Sequence, residues 1–413
     1  MLVKRVVITG VGAVTPIGGD VAAFWDGLCQ GRCGIGPITR FDAAGFKVGL
    51  AAEVKDFSPE RYGIDRGEAR RMDLYTQFAM AAAAQAAQDS GVEGAFQPQR
   101  LGVYVGSGIG GMTTFMAEHE KLLSRGPGRV SPLFIPMMIA NIAAGNIAIR
   151  YGAKGPCLPV VTACATSTHT VGEAYRAIRY GYADGILAGG AEATVNALAV
   201  AGFTNMKALT EAQDPQAASL PFDRRRAGFV MGEGAGILVL EELEHALKRG
   251  AKIYCEVVGY GNTCDAHHIT APDPQAEGGA QAIALALQEA GGLESPLYIN
   301  AHGTGTPLND SAETLAIKKA LGEDGARRAY ISSTKSMTGH MLGAAGAVEL
   351  IASALALKEG LLPPTIHLEQ PDPDCDLNYL PGSAAHPIQC ADALSVSLGF
   401  GGHNGAVALR RYA

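Results

Sequence analysis

The chain has 413 residues, 47% of them hydrophobic and 18% charged, which suffices for a large core and excludes a disordered segment. Asp plus Glu number 40 against 33 Lys plus Arg, a formal net charge of −7, which argues against a general nucleic-acid binder and leaves any anionic partner to a local basic patch. The 54 glycines follow no collagen period, a single Trp argues against an aromatic-rich all-β module, and eight cysteines in this length read as reduced thiols, not as a disulfide scaffold.

In chain order, Val6-Val-Ile-Thr-Gly10 reads as a strand; it is too short and too early broken by glycine for a signal peptide. Met72 to Ser90 is an Ala-rich helix stopped by Gly91, and Leu101 to Gly106 is a second strand. The longest apolar run, Phe134 to Ile149, is broken by Pro136, Asn141, Gly145 and Asn146 and falls short of the roughly 20 residues of a membrane span, so no membrane insertion and a cytoplasmic location are expected. Val160 to Cys164 is a strand running into a helix, where Val171, Ala174 and Ile178 share a face. Gly185 to Gly189 and Gly236 to Glu241 are further strands, and the alternation predicts an α/β fold with buried parallel or mixed sheets.

The strand ends then recur in order. Cys255-Glu-Val-Val-Gly259-Tyr-Gly261 echoes Val6 to Gly12, and Leu297 to Gly303 echoes Leu101 to Gly106. Tyr330 to Lys335 echoes Val160 to Cys164, and Val396 to Gly402 echoes Ile186 to Gly190. This predicts one duplicated unit, residues 1–251 and 252–413, whose halves share a core because no Pro- or Ser-rich linker separates them.

Cys164 lies where a strand becomes a helix among small residues. The free N–H groups and dipole of a helix start favour an anion, so a thiol lowered towards thiolate is expected there. His302, in Asn300-Ala-His-Gly-Thr-Gly-Thr-Pro307, and His340, in Ser333-Thr-Lys-Ser-Met-Thr-Gly-His340, occupy glycine-rich turns at strand ends, where ligands of α/β sheets gather. His169 reads as structural. His267-His268 lack the further ligands of a metal site, and Cys29 and Cys33 have no second pair at zinc spacing, so no metal is expected. Gly10-Val-Gly12 lacks the third glycine of a dinucleotide loop.

Over nearly its whole length the chain resembles the elongating β-ketoacyl-[acyl carrier protein] synthases of bacterial fatty-acid synthesis. The likeness runs through Ile8 to Gly12, the Cys164 segment, Pro221-Phe-Asp-Arg-Arg-Arg-Ala-Gly-Phe-Val-Met-Gly-Glu-Gly234, the His302 and Lys335/His340 segments, and Gly399-Phe-Gly-Gly-His-Asn-Gly405. The resemblance implies a duplicated thiolase fold in five αβαβα layers, a homodimer, and an acyltransferase without a cofactor of its own. It makes Cys164 the acyl-accepting nucleophile, His302 and His340 the pair that promotes decarboxylation of the malonyl thioester, and Lys335, paired with Glu349, a tuner of their field. It gives the Cys164 and Phe400 N–H groups the oxyanion on the acyl side, Ile109 the acyl gate, and Thr304, Thr306 and Thr270 the phosphopantetheine arm. Arg66, Arg70, Arg71 and Lys207 would dock acidic acyl carrier protein, although Gly67 stands where the family has a lysine. A type II polyketide ketosynthase shares this set. A thiolase would need a second cysteine in the Gly399-Phe-Gly-Gly402 turn, which has none. Initiating synthases use Cys-His-Asn, and a cysteine hydrolase lacks its local signature.

Overall fold

The computed structural model describes residues 3–294 and 296–412. Ten strands form one mixed sheet: β1 (Val6–Val14), β2 (Leu101–Gly106), β3 (Cys157–Leu158), β4 (Gly185–Glu192), β5 (Gly234–Glu242), β6 (Cys255–Cys264), β7 (Leu297–Asn300), β8 (Tyr330–Ser332), β9 (Asp392–Gly399) and β10 (His403–Arg411). From one edge the order is β3-β2-β4-β5-β1, and from the other β8-β7-β9-β10-β6. Adding five to each strand of the first series gives the second, so the topology itself is repeated. Among the described residues the two series pair with each other where β1 and β6 run antiparallel over Val6–Ile8.

Five helices carry the layering: α1 (Leu74–Ser90), α2 (Thr166–Arg179), α3 (Glu277–Glu289), α4 (Pro307–Arg328) and α5 (Ala345–Glu359). One apolar cluster joins α1 to the outer face of the first series through Ile237, Val239 and Leu187, and another joins α3 and α4 to the outer face of the second through Ile299, Leu394 and Ala408. Between them, α2 and α5 are gripped by inward residues of both series, among them Leu238, Leu240, Val407 and Leu409. The result is the five-layered αβαβα order. Helix α5 is buried from Ala345 through Leu357, so it lacks the polar face of a surface helix. Each of its larger side chains, such as Leu350 and Ile351, contributes about 2 kcal/mol of burial.

The glycine pairs of the sequence repeat turn out to be packing devices. A Cβ on Gly12 would stand 2.0 Å from the Ala82 carbonyl oxygen of α1, and one on Gly261 would stand 1.8 Å from that of Ala282 in α3. Each helix lies directly on the backbone of its strand, which is why alanines line it and why no phosphate loop forms there. Helix α1 starts two residues later than expected because Asp73 caps it, its side chain accepting from the Tyr75 N–H. Helix α2 begins at Thr166, ahead of its apolar face at Val171, and the strand expected over Val160 to Cys164 does not form: β3 is Cys157–Leu158 and Ala163–Ala165 is already a turn of 3₁₀ helix. The apolar run from Phe134 splits into Phe134–Met138 and Ile142–Tyr151, and no helix among the described residues is long and apolar enough to cross a membrane.

Candidate active site

Cys164 sits in a single turn of 3₁₀ helix, Ala163–Ala165, that feeds α2. Ala163 has φ +51°, a left-handed conformation uncommon for a residue with a side chain, so the turn that presents the sulfur is strained. Gly399 closes over it: a Cβ there would lie 2.9 Å from the Thr162 carbonyl oxygen and 3.3 Å from the Cys164 nitrogen. The backbone N–H groups of Phe400 and of Cys164 itself face the sulfur and favour its anion, as does the Lys335 charge, yet burial outweighs all three and pushes the thiol up to about 11. The expected lowering at the helix start is therefore not what the resting site has. The sulfur lies below the surface, with only 8% of the residue exposed, and loses more hydration than the turn returns.

His302 stands just beyond β7, and its backbone N–H donates to Glu313 at 2.6 Å while that of Gly303 donates to the same carboxylate at 2.7 Å. Burial raises Glu313 to about 7 against these two bonds. His340 is clamped by the Phe229–Gly232 segment: its N–H donates to the Val230 carbonyl and its own carbonyl accepts from Gly232, both at 2.8 Å. The two imidazoles meet edge to face, ring centres 5.3 Å apart, and Phe229 packs on His340 at 5.2 Å. Burial first, then the charge of Lys335, holds both rings well below the ordinary histidine range, so both are neutral. Nδ1 of His302 and both ring nitrogens of His340 lack hydrogen-bond partners among the described residues, which leaves them free for a ligand.

The Cys164 sulfur and one nitrogen from each ring lie within 4.8 Å of one another. They form part of the wall of a cavity of about 540 Å³ that is also lined by Ile109, Phe400, Thr270, Thr304, Thr306 and Lys207. Thr304 and Thr306 share a hydroxyl contact of 3.0 Å, and the Thr270 backbone N–H donates to His268 Nδ1 at 3.1 Å. Lys335 and Glu349 are absent from the lining and pair behind it. Arg66, Arg70 and Arg71 are exposed but do not line the cavity; Arg66 bonds Glu60 at 3.0 Å. Of the four expected docking residues, Lys207 alone stands at its wall. His169 is buried in α2, its Nδ1 2.9 Å from the Thr162 hydroxyl and its Nε2 3.1 Å from the Asn404 carbonyl. All eight cysteines are free thiols, and neither Cys375 nor Cys390 reaches the cavity, so no second sulfur of the thiolase kind is present there.

Two acidic residues escaped the sequence reading. Glu313 and Glu192 are both fully buried and both accept backbone N–H groups of site turns. The one available signal was an acidic residue in a segment otherwise destined for the core, such as Glu192 closing the apolar strand Gly185–Ala191.

The chain matches the family model of the β-ketoacyl synthase N-terminal domain over residues 3–246 and that of the C-terminal domain over residues 254–369. It is 52% identical over 412 residues to 3-oxoacyl-[acyl-carrier-protein] synthase 2 of Synechocystis sp., covering 99% of this chain and 98% of that one. It is 49% identical over 411 residues to the protein of that name from Staphylococcus aureus, covering 99% of each. Among solved structures, a β-ketoacyl synthase from Burkholderia phymatum superposes with a TM-score of 0.91 at 34% identity, covering 99% of this chain and 100% of that one. A type II polyketide ketosynthase in complex with its acyl-carrier protein superposes at 0.89 with 35% identity, covering 100% of both chains. With both family models matched and a sulfur set between two neutral imidazoles, the chain belongs to the β-ketoacyl synthase family and is an acyl-transferring ketosynthase.

Proposed function

We propose that the enzyme elongates fatty acids: it takes an acyl group from acyl carrier protein onto Cys164 and joins it to the two-carbon unit of malonyl-acyl carrier protein. One observation carries the roles of the residues, the approach of a sulfur and two unpartnered imidazoles within 4.8 Å on one cavity wall. The Cys164 sulfur attacks the acyl thioester carbonyl and its proton passes by way of a neutral imidazole to the departing pantetheine thiolate. The Cys164 and Phe400 N–H groups hold the transient oxyanion. The malonyl thioester then binds with its carbonyl oxygen towards His302 and His340. As the carboxylate leaves as carbon dioxide, its bonding pair becomes an enolate, and two neutral N–H donors stabilise the charge on oxygen. The enolate carbon attacks the acyl-Cys164 carbonyl, the carbon–sulfur bond breaks with its pair returning to the sulfur, which takes up a proton from water to restore the thiol, and a 3-oxoacyl chain two carbons longer departs. No electrons change hands and every charge developed meets an N–H donor, so the substrates' own pantetheine is the one prosthetic group required.

Burial, reinforced by the charge of Lys335, keeps both imidazoles unprotonated and so able to donate without acting as strong acids, and Glu349 holds Lys335 in place. Thr304, Thr306 and Thr270 bind the pantetheine arm, and Ile109 gates the acyl chain. Arg66, Arg70, Arg71 and Lys207 receive the acidic carrier protein; the solved relative in complex with its acyl-carrier protein supports such docking. The short edge strand β3 is exposed, with Leu158 and Val161 each about half exposed beside it, which supports a homodimer joined at that edge. The repeated strand order supports two halves parting near residue 251, and the enzyme works in the cytoplasm. A polyketide role is second: the polyketide ketosynthase is 35% identical, against 49% and 52% for the two 3-oxoacyl synthases.

The test is condensation by Cys164→Ala and Cys164→Gln with acyl- and malonyl-acyl carrier protein. Both variants are expected to form no 3-oxoacyl product, and 3-oxoacyl product from the Ala variant would overturn the nucleophile.

A further inference from the structure

Strand β4 is apolar from Gly185 to Ala191 and then ends in Glu192, which is fully buried. Five donors converge on its carboxylate. Oε1 accepts from the Ser107 hydroxyl at 2.9 Å, the Thr194 hydroxyl at 3.1 Å and the Ile109 N–H at 3.3 Å. Oε2 accepts from the Gly108 N–H at 2.9 Å and the Gly343 N–H at 3.0 Å. Three of the five are backbone donors that cannot reverse, so an acceptor-only carboxylate is the side chain that fits.

Glu192 thereby joins two turns that lie far apart in sequence. The first, after β2, carries Ile109 on the cavity wall, 41% exposed. The second, Leu342–Ala344, follows His340 by two residues. The turns touch backbone to backbone: a Cβ on Gly343 would stand 2.4 Å from the Gly108 nitrogen, and one on Gly108 would stand 2.8 Å from Glu192 Oε2. Of the five bonds, the one to Ile109 is the longest and the first to give when a chain presses on that side chain.

We propose that Glu192 is a positioning residue that latches the Ile109 turn to the turn after His340, and that the strength of this latch sets the length of acyl chain the cavity admits. The inference rests on the reading of the cavity as the acyl site. Glu192→Gln separates the two sides of the carboxylate. On the Oε2 side an NH₂ group would face two backbone N–H groups. On the Oε1 side it faces one, together with two hydroxyls able to accept from it. The amide therefore turns its nitrogen to Oε1, keeps the bonds to Gly108 and Gly343, and leaves the Ile109 N–H without an acceptor.

The experiment compares kcat/KM for hexanoyl- and hexadecanoyl-acyl carrier protein in the wild type, Glu192→Gln, Ile109→Ala and the double variant. The long-to-short ratio is expected to rise about fivefold in Glu192→Gln, the worth of one backbone hydrogen bond. In the Ile109→Ala background the same change should move the ratio less than twofold, because the side chain held by the latch is gone. Equal losses for both chain lengths, or an undiminished shift in the Ile109→Ala background, would show a merely structural carboxylate and overturn the inference. A wild type that condenses neither substrate would instead overturn the functional reading beneath it.

Discussion

Lys335 Nζ donates to the Glu349 carboxylate behind the cavity wall, and their side chains are only 1% and 3% exposed. The pair bridges the short helix Lys335–Thr338, which precedes His340, and α5, which follows it, so one ion pair ties together both sides of the histidine turn.

Removing one partner strands the other charge in the core. Lys335→Met and Glu349→Gln should each cost about 3–5 kcal/mol in urea unfolding, and the double variant should recover at least half of the summed loss. Strictly additive losses would mean that the pair is not coupled. Because the Lys335 charge also lowers His302 and His340, Lys335→Met should raise both and move the acid limb of the pH–kcat profile to higher pH.

Gly399 leaves the space in which the Phe400 N–H reaches the sulfur. In Gly399→Ala the new methyl meets the Thr162 carbonyl oxygen at 2.9 Å and the Ala165 nitrogen at 3.2 Å, so the turn must back away from Cys164. Loss of one oxyanion donor corresponds to a fall of about a hundredfold in the rate of acyl transfer to the enzyme. Pre-steady-state acylation reads this directly, and a rate within threefold of wild type would remove Phe400 from the oxyanion role.

His169 supplies a pH-dependent part of stability. Burial lowers it to about 4, with His403 and Arg176 lowering it further and the Asn404 carbonyl opposing them. Between pH 6.5 and 4 the unfolded chain binds a proton that the folded chain refuses, so this group contributes stability that is present above pH 6.5 and is lost as pH falls. Buried carboxylates such as Glu313, raised to about 7, act in the opposite direction, so the contribution has to be read as a difference. His169→Gln, whose amide can still donate to Asn404, should lose about 3 kcal/mol less than wild type between pH 7 and pH 4. Parallel urea-unfolding curves for the two proteins at both pH values would contradict it.

Much of the site was legible because its chemistry is local. Cys164, His302 and His340 each stand among small residues, a context carried within about ten neighbouring positions, and the glycine-ended strands betrayed the repeat. The helix starts were less legible, since Thr166 to Thr170 have no apolar periodicity and become helical through packing of α2 between the two strand series.

By itself, the order of residues singled out Cys164, His302 and His340, the alternation of strands and helices and the recurrence of the strand ends. The tertiary structure alone decided the rest. It decided that Cys164 rests as a thiol, because the cost of desolvation depends on what the whole chain heaps over the sulfur. It decided that Glu192 and Glu313 hold the site turns, because their partners lie 151 and 11 residues away and meet only after folding. It also separated Lys207 from the arginines near residue 70, since proximity to a cavity depends on how distant segments pack and not on how residues follow one another.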